Sequence, residues 1–395
     1  MEDYINHLLN EISPTYWIAI GGFLLLLIIQ LYYYFKYYNR IIRYAKKAKD
    51  GLVRYSTKTP PVSVIICAQN EAENLKKFLP SILTQDYPKY EVIVVNDGST
   101  DQSCDLLEEM DKKYPHLYHT FLPMDAKYTS RKKMCLTVGI KAAKYDHLLL
   151  LDADCQPAGK NWVRSIMSNY EDGAEIVLGY SKVEGDDSFL SKIIRYDSIT
   201  SAMRYLGFAI QGKPYRGTAQ NLSYKKELFF KNKGFSSHLN LILGDDNLFL
   251  QEVATPQNTR VEFTQQSQTI THREETKKSF MYQKGLLLKT LWKYKKSILS
   301  SIFIENISRL LFYGVFLILL IFFLIKQEWI LAGITFLFFL IRFLVQLNII
   351  RKTSAILGEK SFALSIPFFD ILLPLISLHI ITFGKFGTKE DAIWR

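Results

Sequence analysis

Apolar stretches lie near both ends of this 395-residue chain, and a part of mixed polarity separates them. The first, Trp17–Phe35, is uncharged and long enough to cross the hydrocarbon core of a bilayer. Later stretches run over Leu310–Ile325, Trp329–Ile350 and Phe362–Phe383. The last contains two prolines, so it is predicted either to cross the bilayer or to turn back within it.

Two charged residues lie inside the later apolar stretches, Arg342 in the third and Asp370 in the fourth. A lone charge at membrane depth costs about 2.5–3.5 kcal/mol on insertion scales, so such residues usually pair or line a cavity. Basic residues in the loop between the third and fourth stretches place that loop in the cytoplasm. Arg342 and Asp370 lie about equally far from this loop, so they are expected at a similar depth in the membrane. We therefore expect an ion pair. The alternative is that Arg342 extends to the headgroups and Asp370 marks a re-entrant segment, which would return Trp394 to the cytoplasm.

Strands and helices alternate through the middle of the chain. The apolar runs Val62–Cys67, Glu91–Val95 and Leu148–Leu151 have strand length and are bounded by turn-forming residues, which predicts buried strands. The predicted helices begin near Asn70 and cover Thr100–Tyr114 and Arg131–Ala143. Such alternation implies βαβ units with right-handed crossovers, so the predicted fold class is α/β with a mostly parallel sheet.

These patterns predict nine segments. They are an N-terminal extracytoplasmic segment (1–15), a transmembrane helix (16–38), a basic linker (39–59), a cytoplasmic domain (60–275), an amphipathic interfacial helix (276–300), two transmembrane helices (305–326 and 329–350), a transmembrane or re-entrant segment (361–384) and a C-terminal tail (385–395). The interfacial helix is predicted because lysines alternate with Leu, Phe, Tyr and Trp over Lys277–Lys296.

The net charge of +11 is best explained by contact with membrane lipids. Tyrosines at the end of the first apolar stretch precede a basic run, a pattern that puts the downstream side in the cytoplasm. Acidic residues precede the stretch and no cleavage pattern follows it, which argues against a signal peptide. No nucleic-acid-binding motif matches, so nucleic acid is excluded as a partner. The four cysteines match no zinc pattern and are expected to be free thiols, with Cys155 a packing residue.

Acidic residues occupy three predicted loops. Asp97 follows the second strand, Asp152 and Asp154 follow the third, and Asp245 and Asp246 lie further along. Open α/β sheets bind ligands at the carboxyl ends of their strands. Carboxylate oxygens suit Mg²⁺ or Mn²⁺, which bridge protein to substrate phosphates. The set suits transfer from a nucleotide diphosphate, since a metal offsets charge on the leaving group and another carboxylate can deprotonate an attacking hydroxyl.

The order and spacing of five motifs resemble family 2 glycosyltransferases. The similar branch is membrane-embedded and includes cellulose synthases, poly-N-acetylglucosamine synthases and ceramide glucosyltransferases. The motifs are Val62–Glu71, Val95–Asp101, Leu151–Cys155, Gly217–Tyr224 and Gly244–Asp246, within a resemblance that covers about Pro60 to Tyr294 and the flanking membrane segments. The resemblance implies a GT-A domain on the cytoplasmic face of a bacterial inner membrane, with Mg²⁺ or Mn²⁺ as cofactor. It also implies a nucleotide-sugar donor, expected to be UDP-linked, and a lipid-linked or glycan acceptor.

The resemblance implies that the donor is bound by residues at the ends of the first two predicted strands and at the start of the helix over Arg131–Ala143. It implies that Ala68, Asn70 and Glu71 line the nucleotide pocket and that Asp97 contacts the uracil or ribose. The alternative for Asp97 is an Asx-turn in its Asn-Asp-Gly-Ser sequence. Lys132 or Lys133 corresponds to a basic residue near the pyrophosphate, with Lys133 taken as the candidate.

The resemblance also assigns the metal and the base. Asp152 would face the nucleotide and, with Asp154, hold the metal. Asp246 would be the general base, with Asp245 as its catalytic neighbour, and Asn221 would contact substrate. An N-cap role for Asp246 on a helix over Asn247–Val253 is compatible with that assignment.

One motif departs from the family. Processive members carry Gln-x-x-Arg-Trp on an interfacial helix, whereas this chain has Gln283 followed by Leu286 and Leu287 in the Arg and Trp positions. An apolar pair supplies neither a cation nor a sugar-stacking face. Gln283 and Lys284 remain candidate substrate contacts, and Arg273 or Lys284 is expected to supply the missing cation.

The leading function is therefore inverting, metal-dependent, single transfer of a sugar to a hydroxyl at the membrane face, with Asp246 as base. One alternative is a processive polysaccharide synthase that extrudes its product. An alternative of another class is a non-catalytic membrane scaffold with a degenerate nucleotide-binding domain. The oligomeric state, the donor sugar and the acceptor stay open at this point.

Overall fold

The computed structural model describes residues 13–122, 130–272, 276–362 and 365–383. An α/β domain lies between helices that are long and apolar enough to cross a membrane. Its strands are β1 (Val62–Ala68), β2 (Tyr90–Asn96), β3 (Leu117–Phe121), β4 (His147–Asp152), β5 (Cys155–Pro157), β6 (Ile176–Leu178), β7 (Ser181–Val183), β8 (Leu222–Lys225), β9 (Thr259–Val261) and β10 (Thr269–Thr271).

The helices precede, interrupt and follow these strands. They are α1 (Pro14–Tyr33), α2 (Asn39–Lys49), α3 (Ala72–Ile82), α4 (Ser103–Lys113), α5 (Arg131–Ala142), α6 (Trp162–Met167), α7 (Phe189–Ile210), α8 (Lys226–Lys231), α9 (Asn247–Val253), α10 (Lys277–Leu291), α11 (Lys296–Ile325), α12 (Trp329–Ile356) and α13 (Ile366–Phe383).

The main sheet has seven strands in the order β3-β2-β1-β4-β8-β6-β9. Strands β1 to β4 are mutually parallel, and β8 runs antiparallel to both of its neighbours. The mostly parallel α/β fold predicted from the sequence is confirmed. A second sheet, β5-β10-β7, has three short strands that the hydrophobic pattern does not predict.

Strand β1 is buried along its whole length because helices cover both faces of the sheet. Its alternate residues divide between two apolar clusters. Val64 and Ile66 pack in the cluster that contains Leu75 of α3, whereas Ile65 packs in the cluster that contains Leu136 of α5. This is the two-residue period of a strand that is buried on both faces, and it explains why β1 lacks a polar side.

Among the described residues, four candidate membrane spans flank the domain in sequence, covering Pro14–Lys49, Lys296–Ile325, Trp329–Ile356 and Ile366–Phe383. The first is one helix in which a π-helical turn, Tyr34–Tyr38, joins α1 to α2. The third apolar stretch forms a helix that continues past the predicted end at Ile350. The fourth is a continuous helix with Pro374 inside it, and Trp394 lies outside the described residues.

The first helix packs closely on α7 of the domain. The ring of Tyr37 stacks on that of Phe208 with centroids 3.9 Å apart. Gly207 permits this approach, because a Cβ atom there would lie 2.5 Å from the carbonyl oxygen of Tyr37. The loop after α12 is also attached, since the Tyr180 hydroxyl donates to Glu359 at 2.7 Å. The domain is therefore held to the membrane helices on more than one side.

The predicted pair between Arg342 and Asp370 is present, with Arg342 Nη2 donating to Asp370 Oδ2 at 2.7 Å. Both side chains are almost completely buried. The sequence did not predict that Arg309 also binds Asp370, at 3.0 Å, or that Gln30 accepts from Arg342 at 3.0 Å. One carboxylate thus joins three membrane helices through two guanidinium groups.

Candidate active site

The predicted acidic loops meet at one edge of the main sheet. The register pairs Cys67 of β1 with Asp152 of β4, and Ala68 with Asn96 of β2. The carboxyl ends of three parallel strands are therefore adjacent, which is where open α/β sheets bind their ligands. Asp97 follows Asn96 directly, so the first two acidic positions flank the end of β1.

Asp97 is fully buried and bound by an arginine that the sequence analysis did not single out. Arg131 Nε, at the start of α5, donates to both carboxylate oxygens of Asp97, at 2.8 and 2.9 Å. The side chain of Asn96 forms a turn in the same loop, since its Oδ1 accepts from the Ser99 backbone N–H at 3.1 Å. Arg131 thus fixes the loop that follows β2.

The loop after β1 brings the predicted nucleotide-pocket residues to the same edge. Ala68 is buried at the end of the strand, and Asn70 follows with a φ of 53°, in the left-handed region. The side chain of Asn70 accepts from the Thr100 backbone N–H at 2.8 Å, which ties this loop to the one after β2. Glu71 accepts from Asn74 at 2.5 Å at the start of α3.

Two adjacent lysines of α5 have different surroundings. Lys132 Nζ donates to Asp152 at 2.8 Å and lies 4.0 Å from Asp245. Burial alone would lower the pKa of Lys132, but Asp152 and Asp245 outweigh it and raise that pKa. Lys133 is buried within charge range of Asp245 and Asp246, and its ammonium group donates to three backbone carbonyls in the loop that precedes Asp245. Lys132 is therefore the lysine whose ammonium group pairs with these carboxylates, whereas Lys133, the candidate chosen from the sequence, is bound to backbone carbonyls.

Asp246 is placed by a sharp turn and by the start of α9. Gly244 has a φ of 116°, and a Cβ atom at this position would clash with the Leu248 side chain. Asp246 Oδ1 accepts from the Asn247 backbone N–H at 2.6 Å, so the expected N-cap of a helix over Asn247–Val253 is present. The Asn247 side chain donates to the Tyr294 hydroxyl at 2.9 Å, which ties this turn to the segment after α10.

The environment of Asp246 suits a base that works near neutral pH. Burial, and then the neighbouring Asp245 carboxylate, raise the pKa of Asp246 to about 6. Arg216 and Lys132 act in the opposite direction. Arg216 was not singled out from the sequence, although it directly precedes the Gly217–Tyr224 motif. A base is most effective when its pKa lies near the working pH.

The residues around Asp154 fit a divalent metal. Asp154 is buried beside Asp152, and their oxygens are the ligands that Mg²⁺ and Mn²⁺ prefer. The His272 backbone N–H donates to the Asp154 carbonyl at 2.9 Å. His272 Nδ1 pairs with Glu184, while its buried Nε2 has no hydrogen-bond partner among the described residues. A carboxylate on one ring nitrogen is the usual orientation of a metal-binding histidine.

The described residues contain no group of three His, Cys, Asp or Glu side chains gathered as a complete metal site. Since Mg²⁺ commonly binds through one or two carboxylates together with substrate phosphates and water, Asp152 and Asp154 still form an adequate protein contribution. Cys155 is buried and its thiol lies 3.3 Å from Asp154. Burial raises the pKa of this thiol, so it stays protonated and acts as a packing residue.

Asn221 does not lie on the surface of the site. Its side chain is fully buried and makes three hydrogen bonds: it donates to the carbonyls of Tyr180 and Ser267 and accepts from the Trp162 indole. These contacts satisfy the amide and join the two sheets. The described structure therefore gives Asn221 a supporting role beneath the site rather than the expected contact with substrate.

The altered interfacial motif lies on α10. Lys284 is bound to Asp197 of α7 at 2.6 Å, so its charge is already neutralised. Gln283 is partly buried, and its Nε2 has no partner among the residues that the structure describes. Leu286, in the family's arginine position, is buried in the packing of the helix. Arg273, the other expected cation, lies outside the described residues.

Comparison with known proteins identifies the domain. Residues 63–232 match the model of glycosyl transferase family 2. The chain carries a family 2 glycosyltransferase domain. A mannosyltransferase from Pyrobaculum calidifontis, solved with GDP-Man and Mn²⁺, has a similar fold, with a TM-score of 0.57, 14% identity, and coverage of 91% of this chain and 99% of that one. The likeness confirms the predicted GT-A fold.

Curated relatives of this glycosyltransferase domain are synthases. The poly-beta-1,6-N-acetyl-D-glucosamine synthase of Staphylococcus epidermidis is 31% identical over 148 residues, which are 36% of this chain and 34% of that protein. The Staphylococcus aureus enzyme of the same name is 28% identical over 173 residues, 42% of this chain and 40% of that protein. The match thus spans little more than a third of each relative.

Proposed function

We propose that this glycosyltransferase moves a sugar from a nucleotide diphosphate donor to a hydroxyl of a membrane-associated acceptor, with inversion at the sugar carbon. The observation that carries the proposal is the position of Lys132 between Asp152 and Asp245, because it brings a carboxylate of the metal pair close to the neighbour of the proposed base, Asp246. A family 2 domain provides the reaction class.

The donor would lie across the ends of β1, β2 and β4. Asp97, held by Arg131, and the loop at Ala68, Asn70 and Glu71 would contact the base and ribose. Lys132 would bind the diphosphate, since it is the lysine at this edge of the sheet. Because the resemblance lies with enzymes that use UDP-sugars, a UDP-linked donor is the first to test.

Asp152 and Asp154 would hold Mg²⁺ or Mn²⁺, and His272 is the candidate additional protein ligand. The metal supplies positive charge that stabilises the departing diphosphate. Lys132 adds a second positive group beside Asp152. Asp245 lies close enough to keep Lys132 protonated and directed toward this edge.

Asp246 would take the proton from the acceptor hydroxyl as its oxygen attacks the anomeric carbon on the face opposite the diphosphate. The bond from that carbon to the diphosphate oxygen breaks as the new glycosidic bond forms, and the diphosphate leaves with the bonding electrons. A pKa of about 6 leaves most Asp246 ionised at neutral pH yet basic enough to accept the proton.

Single transfer is favoured over processive synthesis. The family's arginine and tryptophan positions hold Leu286 and Leu287 here, and Leu286 is buried in packing contacts. The four candidate spans found in the described part of the chain also provide few helices with which to enclose a polymer channel. The scaffold alternative is disfavoured because the full set of acidic residues is present and Asp246 lies in an environment suited to a base.

The test is a panel of nucleotide sugars offered to the detergent-solubilised full chain with Mn²⁺ or Mg²⁺. A donor should raise the melting temperature and be slowly hydrolysed, and a chelator should abolish both effects. Asp246→Asn should retain donor binding and lose turnover. If no nucleotide sugar is bound or hydrolysed under any of these conditions, the protein is a scaffold, and long products on a gel would establish processive synthesis.

A further inference from the structure

A buried ionic network links the membrane helices to the catalytic domain. Beyond the pair of Arg342 and Asp370, Arg309 Nη2 lies 3.6 Å from Glu305 on the same helix. Glu305 then accepts from Arg204 of α7 at 2.6 Å. The path therefore leaves the membrane helices and ends on the helix of the domain against which Tyr37 packs.

The network contains unequal numbers of charges. Three guanidinium groups, on Arg204, Arg309 and Arg342, face two carboxylates, on Asp370 and Glu305. A buried charge that lacks a counter-charge is costly, and the cost is larger near a bilayer than in water. Within the described part of the chain, the network thus carries one positive charge in excess.

The excess can be located at the end nearest the domain. Arg342 and Arg309 contact Asp370 directly, whereas Arg204 pairs with Glu305, the carboxylate that it shares with Arg309. The Arg204 side chain is the most exposed of the three, at 20%, against 9% for Arg309 and 1% for Arg342. Its Nε, like that of Arg309, is nevertheless buried and has no hydrogen-bond acceptor among the described residues.

A second guanidinium group lies beside this end. Arg216 Nη1 donates to the Ser201 hydroxyl at 3.0 Å. Ser201 and Arg204 are three residues apart on α7, so they lie on the same face of that helix. The Nε of Arg216 is also buried without an acceptor in the described structure. Two buried donors of the same kind, on adjacent cationic groups, imply a missing acceptor, because such groups are normally satisfied.

The same arginine reaches the catalytic base. Arg216 and Asp246 interact electrostatically, and Tyr215 is within charge range of both Arg204 and Arg216. Arg216 therefore lies within charge range of the proposed base, and Arg204 lies on the helix that packs against Tyr37. A phosphate bound to both arginines would bring the attached acceptor toward Asp246.

We propose that Arg204 and Arg216 bind a phosphate or diphosphate group of a lipid-linked acceptor and so place its hydroxyl beside Asp246. This rests on the proposed function and names the acceptor class within it. The phosphate supplies the absent counter-charge and accepts from the two Nε–H groups. Guanidinium groups suit this role because their planar donors match phosphate oxygens. The lipid tail would remain among the membrane helices.

The experiment measures binding to the full chain in phosphatidylcholine nanodiscs. The probes are a long-chain isoprenyl phosphate, the matching isoprenol and inorganic phosphate. The isoprenyl phosphate should bind, and the alcohol and free phosphate should bind at least about tenfold more weakly, because each lacks one half of the recognised group. Arg204→Lys and Arg216→Lys should each weaken binding by about tenfold or more, the range expected for a lost hydrogen bond to a charged group.

Arg43→Lys is the matched control, because Arg43 is an exposed cation on α2 and the substitution is the same as in the two test variants. It should leave binding unchanged. Melting temperatures identify any variant that fails to fold. If Arg204→Lys fails to fold, Arg216→Lys tests the proposal alone.

Three results would overturn the inference. The first is that the isoprenol binds as tightly as the isoprenyl phosphate, and the second is that both lysine variants bind the isoprenyl phosphate as tightly as the unmodified protein. The third is that Arg216→Lys loses as much affinity for the nucleotide sugar as for the isoprenyl phosphate, which would assign this arginine to the donor site. Nanodiscs that contain phosphatidylglycerol distinguish an acceptor site from a general site for anionic headgroups. If phosphatidylglycerol competes as strongly as unlabelled isoprenyl phosphate, the proposed acceptor site is also rejected. Donor hydrolysis without lipid phosphate binding would refute the inference while leaving the proposed function intact.

Discussion

Lys132 Nζ lies 2.8 Å from Asp152 and 4.0 Å from Asp245, so one ammonium group links the ends of two separate loops. The next residue, Lys133, holds the backbone of the second loop through three carbonyls. The two adjacent lysines of α5 therefore have different roles. Lys132 contributes positive charge at the site, and Lys133 stabilises the backbone of the loop before Asp245.

These roles predict different phenotypes. Lys132→Met should leave the melting temperature nearly unchanged and weaken donor binding by about 10- to 100-fold, since a charge-assisted contact to the diphosphate is lost. Lys133→Met should destabilise the domain instead, because each unpaired buried carbonyl costs about 1–3 kcal/mol. Donor titration and thermal unfolding on both variants check this. The opposite pattern would return Lys133 to the donor site.

Asp246→Asn should cut transfer by about 10²–10⁴-fold, the usual contribution of a general base, with little change in donor affinity. In the unmodified protein the rate should fall as pH drops through about 6, because protonation removes the base. Asp245→Asn removes a negative neighbour that raises this pKa, so its acid limb should move to lower pH. A pH–rate profile with no acid limb near 6 would mean that another group accepts the proton.

Asp154→Asn should preserve the fold and abolish the part of donor affinity that depends on Mn²⁺. His272→Ala should weaken Mn²⁺ binding less, since a histidine would share the metal with carboxylates. Electron paramagnetic resonance of bound Mn²⁺ can detect a coordinated ring nitrogen directly. A nitrogen signal that survives in His272→Ala excludes this residue as a ligand, and unchanged Mn²⁺-dependent donor affinity in Asp154→Asn would exclude that carboxylate.

Asp370→Asn should lower the free energy of unfolding by about 3–5 kcal/mol, because it leaves two buried guanidinium groups without their shared partner. Arg342→Gln should cost less, since Arg309 still pairs with Asp370. The charge swap Arg342→Asp with Asp370→Arg should recover only part of the loss, because the new arginine faces Arg309. Full recovery would mean that the pair acts independently of Arg309.

Lysines on α10 and just after it should matter through anionic lipid. Replacing the exposed ones with Gln should reduce activity more in anionic bilayers than in neutral detergent, at about 1 kcal/mol of lipid attraction per residue. They are Lys277, Lys278, Lys289, Lys293, Lys295 and Lys296. Lys284 is the internal control, because its pairing with Asp197 makes its effect independent of lipid. Equal losses in both media would indicate a role in folding or catalysis.

The sequence predicted the features that depend on local pattern. The buried strands β1, β2 and β4 have a clear apolar signal, and the GT-A fold followed from them and from the motifs. The strands of the second sheet have only three residues each, too few to show a period. The pair between Arg342 and Asp370 was predictable because an isolated charge in an apolar stretch needs a partner.

Residue roles within the site depended on contacts that are distant in sequence. The sequence alone cannot distinguish the roles of Lys132 and Lys133, because they are adjacent residues of the same type. The orientation of α5 places their side chains against different partners. Asn221 belongs to a family motif, yet its neighbours Tyr180 and Trp162 come from other elements and enclose it. Neither Arg131 nor Arg216 carries a signal of its own, because an arginine at a helix start or in a loop is most often solvated.

The helix from Pro14 to Lys49 sets a fixed height for the reaction above the bilayer. Its 36 residues span about 54 Å, against a hydrocarbon core of about 30 Å, and the excess is clamped to the domain where Tyr37 stacks on Phe208. Because of this contact, the position of the domain along the helix is fixed and does not adjust to a membrane of different thickness. In a thicker bilayer the catalytic edge would lie closer to the headgroups, and in a thinner bilayer it would lie further from them. The rate of turnover should therefore depend on bilayer thickness.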